Sequence, residues 1–346
     1  MKRQLIYKEK SFLGNIFFKI LAFIYYALHK IKFNLYYKKI LPKFRTSQSK
    51  IISVGNITAG GTGKTPFSMW LAHSLNKKGY NVVILIRAYK SKLKYGEVFD
   101  GKNILMTVSE SGDEPQIAAL NTGVPVFIAK KRVKMLPLIE KKYSPDFIIL
   151  DDGFQYWRLI RDVDIVCVDG NEYFYNNKII PSGILREPVE NIKRADFIIM
   201  KKDGNTSYKK DVPAELSDFS LNQKLFNMNY KYRFSEKISE NNKNVLLVAG
   251  IAKPESFFCA VKLHPEMKNC KIYELGFSDH MIYKSNHISR ISEMIFEHKI
   301  DVVIVTEKDY CKLKDFFENL IYVKIEIEIE NGENLIEKIL GRCDIR

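Results

Sequence analysis

Cysteine is scarce and scattered in this chain. Only Cys167, Cys259, Cys270, Cys311 and Cys343 occur among 346 residues, and no C-x-x-C pair exists. That excludes a zinc ribbon, a thioredoxin-like site and a disulfide scaffold. The five read instead as small apolar fillers in a reducing compartment. His73, His264, His287 and His298 show no metal-ligand spacing. Internal repeats and low-complexity tracts are also missing. Hydrophobic residues make up 46% and charged residues 27% of the chain, which excludes a disordered or collagenous polymer. The length fits one large domain or two smaller ones.

Acidic residues are nearly absent from one region. Residues 1–50 hold 12 Lys and Arg against one acid, Glu9, so eleven of the fifteen excess positive charges lie there. A nucleic-acid-binding fold would carry its basic patch on the folded body. Here the excess accompanies an apolar segment, so nucleic acid is not an expected partner. Ser11 to Leu28 is apolar over about the length of a bilayer span, interrupted by Asn15 and Lys19. Tyr7, Tyr25, Tyr26, Tyr36 and Tyr37, together with flanking lysines, suit a headgroup layer. No small-residue cleavage site follows, which argues against a signal peptide. Residues 1–45 therefore read as a basic amphipathic membrane-associated segment lying on or partly in the surface. A core-packing helix with a solvated basic face and a single membrane span are the competing readings.

Beyond Pro42–Ser49 the pattern changes to apolar runs alternating with helical spacing. The runs are Ile51–Val54, Asn81–Ile86, Val124–Ile128, Phe147–Leu150, Ile165–Val168 and Phe197–Met200. This alternation predicts a parallel sheet covered on both faces. A second series, Asn244–Ala249, a helix over Pro254–Lys262 and Asp301–Thr306, predicts a smaller α/β unit. Leu225–Arg233 and Leu320–Ile329 are β-patterned, and the second alternates Val323, Ile325, Ile327 and Ile329 with charged residues. The expected division is 46–224 for the first domain, 225–233 with 320–329 as a two-stranded β linker, and 234–319 for the second domain. A final helix within 330–346 returns to the first domain.

The strongest motif is Val54-Gly-Asn-Ile-Thr-Ala-Gly-Gly-Thr-Gly-Lys-Thr-Pro66, set between a strand and a helix. This is P-loop context, with Thr58 in place of the usual first glycine. The stretch Thr58, Ala59, Gly60, Gly61, Thr62, Gly63, Lys64 and Thr65 is predicted to hold nucleotide. Backbone N–H groups wrap phosphate, Lys64 reaches the β- and γ-phosphates, and the Thr65 hydroxyl ligates Mg²⁺. Asp151 and Asp152 end a buried strand, where such folds keep the acid that holds Mg²⁺; a turn or helix cap is the bland alternative. The chain has no clean guanine-specificity motif.

Further motifs occur in one order: SGDEPQ (111–116), LDDGFQYWRL (150–159), PSGILREP (181–188), VAGIAKPESFF (248–258), FSDH (277–280) and VTEKD (305–309). Together with the P-loop they resemble the tetraacyldisaccharide 4′-kinase family, the lipid A 4′-kinases of Gram-negative bacteria. The resemblance runs from the N-terminal segment to about residue 325. It implies two α/β/α domains joined by a β linker. It also implies ATP and Mg²⁺ as cofactors, an acylated glucosamine disaccharide 1-phosphate as acceptor, and work at the cytoplasmic face of the inner membrane. No protein partner is implied. By motif, Asp113 is the acid–base residue, paired with His280 of the second domain, and Arg186 and Glu187 join Lys64, Asp151 and Asp152 in the active site. Arg87 and Arg132 are further candidates for charge neutralisation. Two departures stand out: Tyr156 replaces the family's usual His, and Arg87-Ala-Tyr-Lys90 lacks two glycines. The competing function is a membrane-associated P-loop NTPase that switches a partner without transferring phosphate.

Overall fold

The computed structural model describes residues 12–89, 91–170, 173–174, 177–202, 213–239, 243–251, 254–278 and 281–344. His280 and Lys90 lie outside these residues.

The chain opens with α1 (Phe12–Tyr37) and then builds the first unit. Its elements are β1 (Lys50–Gly55), α2 (Lys64–Lys77), β2 (Val82–Arg87), β3 (Tyr95–Phe99), the short α3 (Val108–Ser111), α4 (Asp113–Thr122), β4 (Val126–Ala129), α5 (Leu136–Tyr143), β5 (Phe147–Asp151), β6 (Val163–Asp169), β7 (Phe197–Lys202) and α6 (Ala214–Leu221). Strand β8 (Leu225–Phe234) leads out. The second unit holds β9 (Asn244–Ala249), α7 (Pro254–Lys262), β10 (Lys271–Gly276), α8 (Ser285–His298), β11 (Val302–Thr306) and α9 (Glu307–Leu313). Strand β12 (Leu320–Ile329) leads back to α10 (Gly332–Arg342).

The twelve strands among the described residues form one sheet, ordered β10-β9-β11-β12-β8-β7-β6-β1-β5-β2-β4-β3. Neighbours are parallel except β8 with β12 and β3 with β4. The architecture is therefore α/β with a mostly parallel sheet, as the alternation predicts. The inner strands are buried along nearly their whole length because helices cover both faces. Successive residues serve opposite layers. Ile52 and Val54 join a core with Phe67 and Leu71 of α2 and Leu335, Ile336 and Ile339 of α10, while Ile51 joins Leu136 and Ile139 of α5. The second unit has its own two layers, split between Val245 and Leu247 on one face and Leu246 and Val248 on the other.

The junction between units is the antiparallel pair β8–β12, registered from Val323 opposite Phe234 to Ile329 opposite Met228. Here the alternation expected of β12 is incomplete. Val323 packs in the second unit's core and Ile329 in the first, but Ile325, midway, is 38% exposed. Among the described residues Ile325 joins neither core, at the point where one ends and the other begins. The cysteines also divide. Cys167 and Cys343 are buried fillers as expected, whereas Cys259 is exposed on α7, whose core face is taken by Phe257, Phe258 and Val261.

Among the described residues no helix is long and apolar enough to cross a membrane. Helix α1 has two distinct faces instead. Ile16, Phe17, Ile20, Phe23, Ile24, Leu28 and Ile31 are exposed. On the other side His29 and Phe33 meet Trp157 edge-on, with ring centroids 4.9 and 5.3 Å away, and the Arg194 guanidinium lies over the Phe33, Phe154 and Trp157 rings.

Candidate active site

The phosphate loop follows β1 and ends at the N-terminus of α2. Gly63, with φ 84°, sits in the left-handed region immediately before the helix, a conformation that favours glycine. A Cβ there would also run into Met228 and Tyr230 of β8. Thr58 and the residues after it are braced by the 184–186 segment: Ala59 N–H donates to the Ile184 carbonyl (2.6 Å), and Arg186 N–H donates to the Ile57 carbonyl (2.7 Å). Asn56 Nδ2 donates to Thr62 Oγ1 across the loop at 3.1 Å. The sequence PSGILREP thus holds the loop's outer edge through its main chain as well as presenting Arg186 and Glu187.

Below the loop, Asp151 ends β5 and is 2% exposed. Thr65 Oγ1 donates to its Oδ2 (2.8 Å) and Ser68 Oγ to its Oδ1 (3.2 Å). Burial pushes this carboxyl up to about 6, and the nearby Glu114 charge pushes the same way. Asp152 follows with φ 55°, a turn conformation that Asp tolerates. It gathers cations: Arg186 Nη1 at 2.6 Å, Arg87 Nη1 at 3.6 Å and Lys64 Nζ at 3.9 Å. Burial opposes ionisation there, but Arg186 and Lys64 hold the carboxyl below the usual carboxylate range. Arg132 lies beneath, donating from Nη1 and Nη2 to the Asp151 and Asp152 carbonyls at 2.8 and 2.9 Å. Burial lowers its guanidinium to about 10. Tyr156, where the family usually has His, places its ring 4.5 Å from that guanidinium and accepts from Val133 N–H.

Glu187 is fully buried. Gln155 Nε2, Asn191 Nδ2 and Arg194 Nη1 donate to it at 2.7–2.9 Å. Those bonds make it a brace. His29 of α1 lies 3.9 Å from the same carboxylate, and Tyr25 OH donates to the Arg186 carbonyl at 3.0 Å. The buried His29 ring is held below its usual pKa by desolvation. Sequence reasoning missed Ser68, His29 and Arg194, which no local motif marks, and gave no site role to Gln155, within LDDGFQYWRL, or to Tyr25, read as a headgroup residue; each acts through the tertiary packing.

Asp113 opens α4 after Gly112, whose φ of 92° favours glycine. Gln116, from the same motif, is structural: its Nε2 donates to the Met106 carbonyl and to Ser111 Oγ. Helix α4 packs against α2, which places Asp113 beside the P-loop helix. Its Oδ2 accepts from Lys312 Nζ of α9 at 2.8 Å. The expected second-unit partner, His280, lies outside the described residues. In the VTEKD motif, Asp309 is buried and accepts from Gly250 N–H, Tyr283 OH and Thr306 Oγ1. It ties the loop after β9 to the segment leading into α8.

Phosphate loops serve switches and kinases alike, so the loop does not choose between them. A carboxylate on the helix packed against α2 is what a kinase acting on an alcohol needs to take up its proton. Fold and site are those of a P-loop kinase.

Known proteins narrow the class. The tetraacyldisaccharide-1-P 4′-kinase family pattern matches residues 15–344, so the chain belongs to that family. A tetraacyldisaccharide 4′-kinase of Halothermothrix orenii is 34% identical, covering 98% of this chain and 97% of its own. That of Haemophilus influenzae is 29% identical, with coverages of 92% and 90%. The crystal structure of LpxK from Aquifex aeolicus in complex with ATP superposes with a TM-score of 0.74 at 27% identity, over 93% of this chain and 96% of that one.

Proposed function

We propose that the chain transfers the γ-phosphate of ATP to the 4′-hydroxyl of a tetraacylated glucosamine disaccharide 1-phosphate, yielding lipid IV-A. The observation that carries this reading is Asp113, an acid on the helix beside the P-loop, gripped from the second unit. Family membership over nearly the whole chain supports the same acceptor. Residues 58–65 bind the triphosphate, with Lys64 on the β- and γ-phosphates. Arg186, at present on Asp152, and Arg87 supply positive charge where it develops on the transferring group. Asp113 accepts the proton of the attacking hydroxyl, oriented by His280.

Mg²⁺ fits the donor set. Thr65 Oγ1 and Asp151 Oδ2 are hard oxygens 2.8 Å apart at the foot of the loop, with Asp152 adjoining. Among the described residues no cluster of three or more His, Cys, Asp or Glu could hold a metal. Mg²⁺ needs none, since phosphates and water complete its shell. When bound, it neutralises β- and γ-phosphate charge.

The chain divides as 46–224, 234–319 and a linker of 225–233 with 320–329, with 330–346 packed back on the first domain. Residues 1–45 hold the enzyme at the cytoplasmic surface of the inner membrane through the exposed apolar face of α1. Purified protein incubated with labelled ATP and the disaccharide 1-phosphate lipid tests the activity. A labelled bisphosphate is expected. ATP hydrolysis without lipid labelling would favour the switch reading.

A further inference from the structure

Helix α9 faces α4 across the boundary between the units. Three polar contacts join them: Lys312 Nζ to Asp113 Oδ2 at 2.8 Å, Lys308 Nζ to Glu114 Oε1 at 3.7 Å, and Asn121 Nδ2 donating to Glu307 Oε1 at 2.6 Å. Lys308 and Lys312 are one helical turn apart and so share a face. The Lys312 and Asp113 side chains are only 15% and 10% exposed, so this is not a solvated surface pair of little consequence. The opposite commitment of α9 is equally specific. Asp309 holds Gly250 N–H and Tyr283 OH, three residues past the FSDH motif.

From this arrangement we infer that α9 is a closure latch and that Lys312 is a positioning residue for the acid. Approach of the second unit brings the Lys312 ammonium onto Asp113 Oδ2 and fixes the plane of the carboxylate. Through Asp309 the same helix sets the segment that follows His280. One helix thus grips Asp113 of the first unit and braces Tyr283 of the second at the same time. This rests on the reading of Asp113 as the proton acceptor.

The groups facing Asp113 define a pH test. Tyr283 and Cys311 lie within electrostatic reach, and burial raises the pKa of both, which keeps them neutral. Glu114 adjoins in sequence. Lys312 is a cation paired with Asp113, and an opposite charge this close favours the ionised carboxylate.

The experiment uses the full chain with ATP and acceptor lipid in mixed micelles, comparing Lys312→Met, Lys312→Arg, Asp113→Asn and the Lys312→Met/Asp113→Asn double variant. Lys312→Met is expected to lower kcat by about 10–100-fold with KM for ATP within about twofold, and to move the acidic limb of the kcat profile upward. Lys312→Arg should restore most of the rate and the limb. In the Asp113→Asn background Lys312→Met should add little. A folded Lys312→Met with normal kcat and an unmoved limb overturns the inference, as does a multiplying loss in the double variant. Should Lys312→Met not fold, the double-variant logic passes to Lys312→Arg, and an arginine that lowers kcat without moving the limb also overturns it. Normal transfer by Asp113→Asn would instead overturn the reading of Asp113 itself.

Discussion

The two halves of the site are built in different ways. On the nucleotide side, residues 55–68, 151–155 and 184–187 follow β1, β5 and β6 of one unit, and their contacts close on each other at 2.6–3.2 Å. On the acceptor side, Asp113 comes from one unit and its grip, Lys312, from the other. The first half is fixed once β1 pairs with β5 and β6. The second exists only as far as the units stay together over the β8–β12 junction. Binding nucleotide and performing transfer are therefore separable, and substitutions should separate them.

The largest effect belongs to the nucleotide half. Lys64→Ala is expected to abolish measurable transfer, a loss of about 10³-fold or more, because the ammonium works on phosphate charge in a desolvated site. Thermal unfolding should be unchanged. Normal turnover in the folded variant would remove the P-loop assignment.

Next come the two residues proposed as the acid–base pair. Asp113→Ala and His280→Ala should each lower the transfer rate by about 10²–10⁴-fold while ATP binding, measured by calorimetry, persists. The double variant should be little worse than either single one, since residues acting as a unit are not additive. Losses that multiply would mean that the two do not form a dyad, and would leave His280 a substrate-binding or structural role.

These two halves were unequally legible in the sequence. The P-loop is contiguous, so its glycines, Lys64 and Thr65 declare themselves by spacing, and Asp151–Asp152 do so by ending an apolar strand. Asp113 carries no such mark: an acid after a glycine is ordinary helix-start chemistry, and only the resemblance of the surrounding motif singled it out. Lys312 was invisible because its meaning depends on α9 crossing a domain boundary 199 positions from its partner. Glu187 was expected in the site from its motif, but its part as a buried brace was not legible, because LREP does not reveal that Gln155, Asn191 and Arg194 converge on it. The same limit explains Ile325, whose alternation predicts burial that the gap between two cores does not supply.

A smaller effect tests how the nucleotide half bears its charge. With nucleotide and Mg²⁺ absent, the Asp151 carboxyl goes from 3.8 unfolded to about 6 folded. The folded state then binds the proton more tightly, so stability falls as pH rises from about 4 to 6, and the deficit is complete above 6. Its upper size is about 3 kcal/mol. Asp151→Asn removes the charge but loses about 1 kcal/mol of hydrogen bonding from Thr65 or Ser68. The variant should therefore be about 2 kcal/mol more stable than the parent at pH 7.5, with the advantage vanishing near pH 4.5, although it transfers no phosphate. Denaturant unfolding at both pH values measures this; a pH-independent difference would mean that Asp151 does not carry a desolvated charge.

The smallest effect asks whether the nucleotide half is as self-contained as its short contacts suggest. Outside the unit it leans on α1, whose Tyr25 hydroxyl donates to the Arg186 carbonyl while Arg186 itself reaches Asp152. The helix's exposed face, including Phe23 at 70% exposure, takes no part in this. Tyr25→Phe deletes one oxygen and leaves that half-buried carbonyl without its partner, a loss of about 1 kcal/mol. If the loss is felt through Arg186 in the transition state, kcat should fall about fivefold. Binding to anionic vesicles should stay as it was, because the apolar face is intact. Phe23→Asp should do the reverse, weakening vesicle association while leaving ATP affinity unchanged. Should Tyr25→Phe weaken vesicle binding and spare kcat, α1 would be an anchor alone, and the nucleotide half would indeed stand by itself. The expected split between the two variants would instead make α1 a third contributor to the site, holding Arg186 from one face while the other face meets the lipid that carries the acceptor.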